Sequence, residues 1–109
     1  MLHQRIENAG MMHNVACMLV NNLREKLAIY DNYTVKKREN EDSAQVMIYS
    51  ESSCNILTGA CIKSTMEIIG LYRMLYDLSY HFGTIELGEG EEKRILPCFY
   101  VCLNVSKCK

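Results

Sequence analysis

The chain has no tryptophan, a single proline and no surplus of charge of either sign. One proline and six glycines in 109 residues leave no stretch with the composition of a linker. A single domain over residues 1–109, large enough to bury a core, is therefore predicted. With a formal net charge of −1, the basic excess of a general nucleic-acid binder is missing. Lys36-Lys37-Arg38 is followed at once by Glu39, Glu41 and Asp42, the pattern of a solvated turn. No run reaches the roughly 18 apolar residues of a membrane span, and Arg5 and Glu7 interrupt the N-terminal segment before it can form a signal-peptide core. These absences predict a soluble, cytoplasmic protein that contacts neither a membrane nor nucleic acid directly.

Cofactor and metal signatures are missing too. Six cysteines invite a disulfide reading, but scaffolds of that kind replace a weak core, and here the apolar patterns are strong. Cys17 and Cys61 fall inside helical patterns, Cys54 just before one, and Cys98 and Cys102 in a strand-like run. Reduced cysteines serving as small hydrophobes fit these places. Four residues along a strand are roughly 13 Å, so Cys98 and Cys102 share neither an ion nor a disulfide. Cys54 and Cys61, seven apart, lack the close spacing of a structural zinc pair. Cys108, between Lys107 and Lys109, is the thiol most favoured as thiolate. His3, His13 and His81 belong to no local motif that brings cysteine and histidine together for nucleophilic chemistry. No cofactor, metal or catalytic residue is expected.

What the sequence does carry is a pattern that runs twice. Residues 2–31 show apolar side chains every three or four positions, from Leu2, Ile6 and Ala9 through Met12, Val15, Ala16, Leu19, Val20, Leu23, Leu27 and Tyr30. That is one face of a helix, secure over 11–31, with Asn8 or Gly10 as a cap or kink and Asp31-Asn32 as the stop. Residues 54–82 read as a second helix that is apolar over most of its circumference. Its narrow polar stripe runs through Lys63, Glu67, Gly70, Arg73, Asp77 and His81, and Gly83 follows as the residue past its end. In that helix Lys63 can meet Glu67 and Arg73 can meet Asp77. Tyr72, Tyr76 and Tyr80 form a line, Gly70 admits a close neighbour, and His81 sits near the C-terminal dipole.

Each helix is followed by two strand-like runs: Tyr33–Lys37 and Gln45–Tyr49, then Thr84–Leu87 and Ile95–Val105. In the last run Ile95, Phe99, Val101, Leu103 and Val105 share a core face, and Leu96, Cys98, Tyr100, Cys102 and Asn104 share an amphipathic one that is either half-covered or an interface. The predicted fold is a two-layer α+β domain in the order α-β-β-α-β-β, with two long helices packed on a small antiparallel sheet. Helices of about 26 residues would span roughly 39 Å, more than the roughly 34 Å diameter of a domain this size. They therefore either break at Gly10, Gly59 or Gly70 or extend into a homodimer interface.

Two acidic turns complete the reading, Glu39, Glu41 and Asp42 in the first and Glu89, Glu91 and Glu92 in the second. If the two halves pack alike, both turns lie at one end of the sheet and form an acidic edge able to dock on a basic protein surface. The function expected is a small non-enzymatic protein that occupies a partner. Its concrete form, on the size and type of the chain alone, is a phage or mobile-element inhibitor of a host defence nuclease, as the anti-CRISPR proteins are. The alternative is a dimeric small-molecule or nucleotide binder that uses Ser50, Ser52 and Ser53, between a strand and a helix, to hold a phosphate. A cysteine-dependent enzyme ranks last.

Overall fold

Asn8 starts the first helix. Its side-chain oxygen accepts the backbone N–H of Met11 at 2.8 Å, which satisfies one of the donors a helix N-terminus leaves free. In the computed structural model, which describes residues 4–30, 33–51 and 60–106, the order is α1 (Ala9–Leu27), β1 (Tyr33–Glu39), β2 (Ser43–Ser50), α2 (Ala60–Leu75), β3 (Leu78–Leu87) and β4 (Arg94–Asn104). A single 3-10 turn, Gly90–Glu92, sits between the last two strands. The predicted α-β-β-α-β-β order and the antiparallel sheet are both present. Leu2, His3, Asp31, Asn32, Ser52, Ser53, Cys54, Gly59 and Cys108 lie outside the described residues.

The four strands form one antiparallel sheet in the order β1-β2-β4-β3. Each α-β-β half contributes a hairpin, and the hairpins meet through β2 and β4, from Ser43↔Asn104 to Ile48↔Phe99. The face of α1 read from the sequence is the one buried, through Met12, Val15, Ala16, Leu19, Val20, Leu23 and Leu27. It meets Val46, Ile48, Phe99, Val101 and Leu103 of the sheet in the main core. Burying each such side chain contributes roughly 1.5–3 kcal/mol relative to leaving it in water. Residues alternating with these point to the other face, where Met47, Tyr49, Leu96, Cys98 and Tyr100 form a second buried cluster. The amphipathic face predicted for β4 is therefore mostly buried. Ile95, predicted in the core, is 63% exposed.

The main correction concerns α2. It ends at Leu75, and Leu78–Phe82, read as helix, open β3. Two pieces of tertiary structure decide this. Gln4 takes the end of the helix, its N–H donating to Leu75 O at 2.9 Å and its carbonyl accepting the Asp77 N–H at 3.2 Å. Ten residues of β3 then pair with β4, from Leu78↔Leu103 to Leu87↔Arg94. Leu78, Tyr80, Phe82 and Thr84 alternate with Ser79, His81, Gly83 and Ile85, so the segment satisfies period two as well as the helical period. Tyr80 and His81 are strand residues, and Gly83 is no helix terminus. The Tyr100 ring lies against Gly83, where an added Cβ would stand 3.2 Å from it.

Gly70 has nothing within 4 Å of an added Cβ and faces solvent instead of a close neighbour. Glu67 pairs with Lys26 of α1 at 3.4 Å, and Arg73 lies over the Tyr80 ring at 5.2 Å. With 19 and 16 residues, the helices measure about 28 and 24 Å. Over the described residues neither helix overhangs the domain, so their described length carries no argument for a dimer.

Candidate functional site

The two acidic turns occupy opposite ends of the sheet. The β1–β2 turn adjoins the end of β4, since Ser43 pairs with Asn104, while the β3–β4 turn adjoins its start, since Leu87 pairs with Arg94. The 11 residues of β4 separate them by about 33 Å at 3.3 Å per residue. The single acidic edge expected if the halves packed alike is not formed, because halves joined through antiparallel β2 and β4 send corresponding turns in opposite directions.

In the first turn Asn40 Oδ1 accepts the N–H groups of Asp42 and Ser43, both at 2.9 Å, and Glu41 and Asp42 are exposed. The second turn is shaped by Gly88 and Gly90, at φ 86 and φ 60, a region glycine enters without steric cost. A Cβ on Gly88 would stand 2.6 Å from Glu92 O. Glu89, Glu91 and Glu92 all project into solvent there. Ser50 is buried as the last residue of β2, and α2 is described from Ala60 onward. Of the phosphate reading of Ser50, Ser52 and Ser53, the latter two serines lie outside the described residues.

Glu39, assigned from sequence to the first turn, is the last residue of β1 and belongs to a different constellation. His13 and Cys17 are four apart on α1 and so share a face, and β1 brings Glu39 beside them. His13 Nδ1 lies 2.9 Å and 3.0 Å from the two carboxylate oxygens, and His13 Nε2 lies 3.5 Å from Cys17 Sγ. A carboxylate only accepts, so the imidazole proton of this contact sits on Nδ1. Lys37 also pairs with Glu39. The Lys37 ammonium, and after it His13, holds the Glu39 carboxyl below its ordinary range, while the same Lys37–Glu39 hydrogen bond raises Lys37. The thiol, imidazole and carboxylate present ligand atoms within 4.8 Å of one another. Sequence reasoning left His13 without a role. The signal that would have found it is its four-residue spacing from Cys17.

A second cysteine–histidine pair joins β4 to β3, with Cys102 Sγ 3.9 Å from His81 Nδ1. His81 is stacked on Tyr100 at 5.0 Å. Cys61 and Cys98 are buried, and burial raises both thiols above their ordinary range. The four described cysteines are free thiols.

The remaining feature is the outer edge of β3. It is an edge strand with no Asp, Glu, Lys or Arg from Leu78 to Ile85. Tyr80 and Phe82 pack on the buried Phe99 ring, at 5.5 Å and 4.7 Å between centroids, yet Phe82 remains 58% exposed. The cause is the helix layer. α1 lies across β1 and β2 and α2 packs chiefly on α1, so the β3 end of the sheet is thinly covered. No helix among the described residues is long and apolar enough to cross a membrane. No protein-family model, curated protein or solved structure matches the chain.

Proposed function

We propose that the chain is a non-enzymatic protein-binding module that acts by occupying a partner, and that the outer edge of β3 is its docking surface. The observation that carries this reading is the uncharged edge from Leu78 to Ile85, flanked on the helix side by exposed Tyr80, Phe82 and Ile95. An open edge strand offers unpaired N–H and C=O groups to an extended segment of another chain, and adjacent apolar side chains give that segment its register. The strand runs into Glu86 and then Glu89, Glu91 and Glu92, so the partner segment that fits carries apolar residues at alternate positions and Lys or Arg at the end meeting the turn. Glu41 and Asp42, at the far end of the sheet, fall outside this surface, and Glu39 is already held by Lys37 and His13. Occupation of a host defence nuclease, the expectation from size, is one form of this proposal. A homodimer is another, now resting on this edge alone.

Native mass spectrometry of the protein from its own host tests the reading. The expected result is a complex with a protein chain that Phe82→Lys abolishes while the fold persists. A mass of two copies, lost in the same variant, assigns the edge to self-pairing. A chain of 12.6 kDa alone, or one carrying only a small molecule, overturns the proposal.

A further inference from the structure

We propose that Cys17, His13 and Glu39 form a zinc-type metal site on the α1–β1 surface, with Cys17 Sγ and His13 Nε2 bonded to the ion and Glu39 fixing the imidazole from its other nitrogen. The distances fit this role without rearrangement. Zinc bonds of about 2.3 Å to sulfur and about 2.0–2.1 Å to nitrogen, at a tetrahedral angle, place those two ligand atoms about 3.5 Å apart. The Cys17 Sγ to His13 Nε2 separation is 3.5 Å. A carboxylate on the far nitrogen of a ligating histidine sets the tautomer, aims the ring and raises its basicity. Glu39 makes that contact at 2.9 Å and 3.0 Å. Thiolate with imidazole suits zinc among the common divalent ions. Binding displaces the thiol proton to solvent and leaves the remaining coordination positions to water.

The same three groups resemble a nucleophile, base and orienter, and the backbone argues against that use. Cys17 lies in the interior of a 19-residue helix, where the neighbouring N–H groups are engaged in helical hydrogen bonds. None is left to stabilise the oxyanion of an acyl-transfer intermediate. The constellation supplies two ligands and an orienting carboxylate for an ion and lacks the oxyanion donors of a hydrolase.

Titration of the full reduced chain with Co²⁺, followed by Zn²⁺ displacement, tests the assignment. One equivalent of Co²⁺ should give a thiolate-to-metal charge-transfer band and the visible bands of a tetrahedral ion, and Zn²⁺ should abolish both. Cys17→Ser and His13→Ala should each weaken binding at least a hundredfold, and Glu39→Ala about ten- to a hundredfold. Cys102→Ser, which removes the other cysteine–histidine pair, should leave binding unchanged. Zn²⁺ should raise the melting temperature of the wild type and not of Cys17→Ser. Failure to bind, a Co²⁺ adduct without the thiolate band, or equal affinity in Cys17→Ser and wild type would overturn the site.

Discussion

The two edges of the sheet are built on opposite principles. β1 carries Lys36, Lys37 and Arg38 in succession, and the Arg24 guanidinium of α1 caps the Val35 carbonyl, with Nε at 3.0 Å and Nη2 at 2.8 Å. Charges and occupied carbonyls are the usual means of keeping an edge from pairing with another chain. β3 carries no Asp, Glu, Lys or Arg from Leu78 to Ile85, although the Tyr100 hydroxyl takes its Thr84 carbonyl, and its helix side presents two aromatic rings. Among the described residues one edge is closed and the other is not, and the proposed docking surface rests on that contrast. The helix layer agrees with that division, since α1 covers β1 and β2 and leaves β3 thinly roofed.

The strongest way to break the contrast is to remove the platform under β3. Phe99 is fully buried beneath Tyr80 and Phe82. Phe99→Ala should cost about 3–5 kcal/mol, read by denaturant unfolding, and β3 amides should lose hydrogen-exchange protection before those of β1. Loss of protection first in β1 would mean that the two edges are not supported separately. Next in size is the closed edge. Arg24→Ala removes charge-assisted hydrogen bonds worth about 1.5–3 kcal/mol and frees the Val35 carbonyl. It should lower stability by that order and produce self-association at high concentration, detectable by light scattering. A variant that stays monomeric would show that the cations of β1 suffice to close the edge.

Smaller effects sharpen the comparison. Replacing Glu89, Glu91 and Glu92 by Lys should leave stability within about 0.5 kcal/mol, as for exposed loop charges. It should slow association with a basic partner and reverse its salt dependence. The same reversal of Glu41 and Asp42, beyond the docking edge, should leave the on-rate unchanged. Equal slowing in both variants would return the acidic turns to a shared role. The smallest effect is the acid sensitivity of β1. Lys37 and His13 depress the Glu39 carboxyl below its ordinary 4.5, so Glu39 stabilises the fold at pH above that value. This contribution falls away as pH drops through the depressed folded value. Melting temperatures of wild type and Glu39→Gln should differ by a constant amount near neutrality and converge below about pH 4.5. A gap that widens in acid would contradict the assigned pairing.

The candidate metal site was only half legible. The His13 and Cys17 spacing is local and visible in the chain, because residues four apart on a helix always meet. Glu39 was noticed for its charge and placed in a turn. Its position beside α1 depends on how β1 docks under the helix, a contact across 26 residues of sequence that no local pattern encodes. The proposed docking edge was hidden for a different reason. Leu78–Phe82 is apolar enough to continue α2 and alternates well enough to be a strand, so both periods fit the same residues.

By itself the sequence determined the α-β-β-α-β-β order, the buried face of α1 and the alternating faces of β4, because each follows from periodicity within one element. Tertiary structure alone decided where α2 stops, through the Gln4 bonds to Leu75 and Asp77, and which residues make β3, through ten residues of pairing with β4. It also decided that the acidic turns face opposite ways, through antiparallel β2 and β4. These are choices between arrangements of similar local quality, and they are made by hydrogen bonds and packing between segments far apart in the chain.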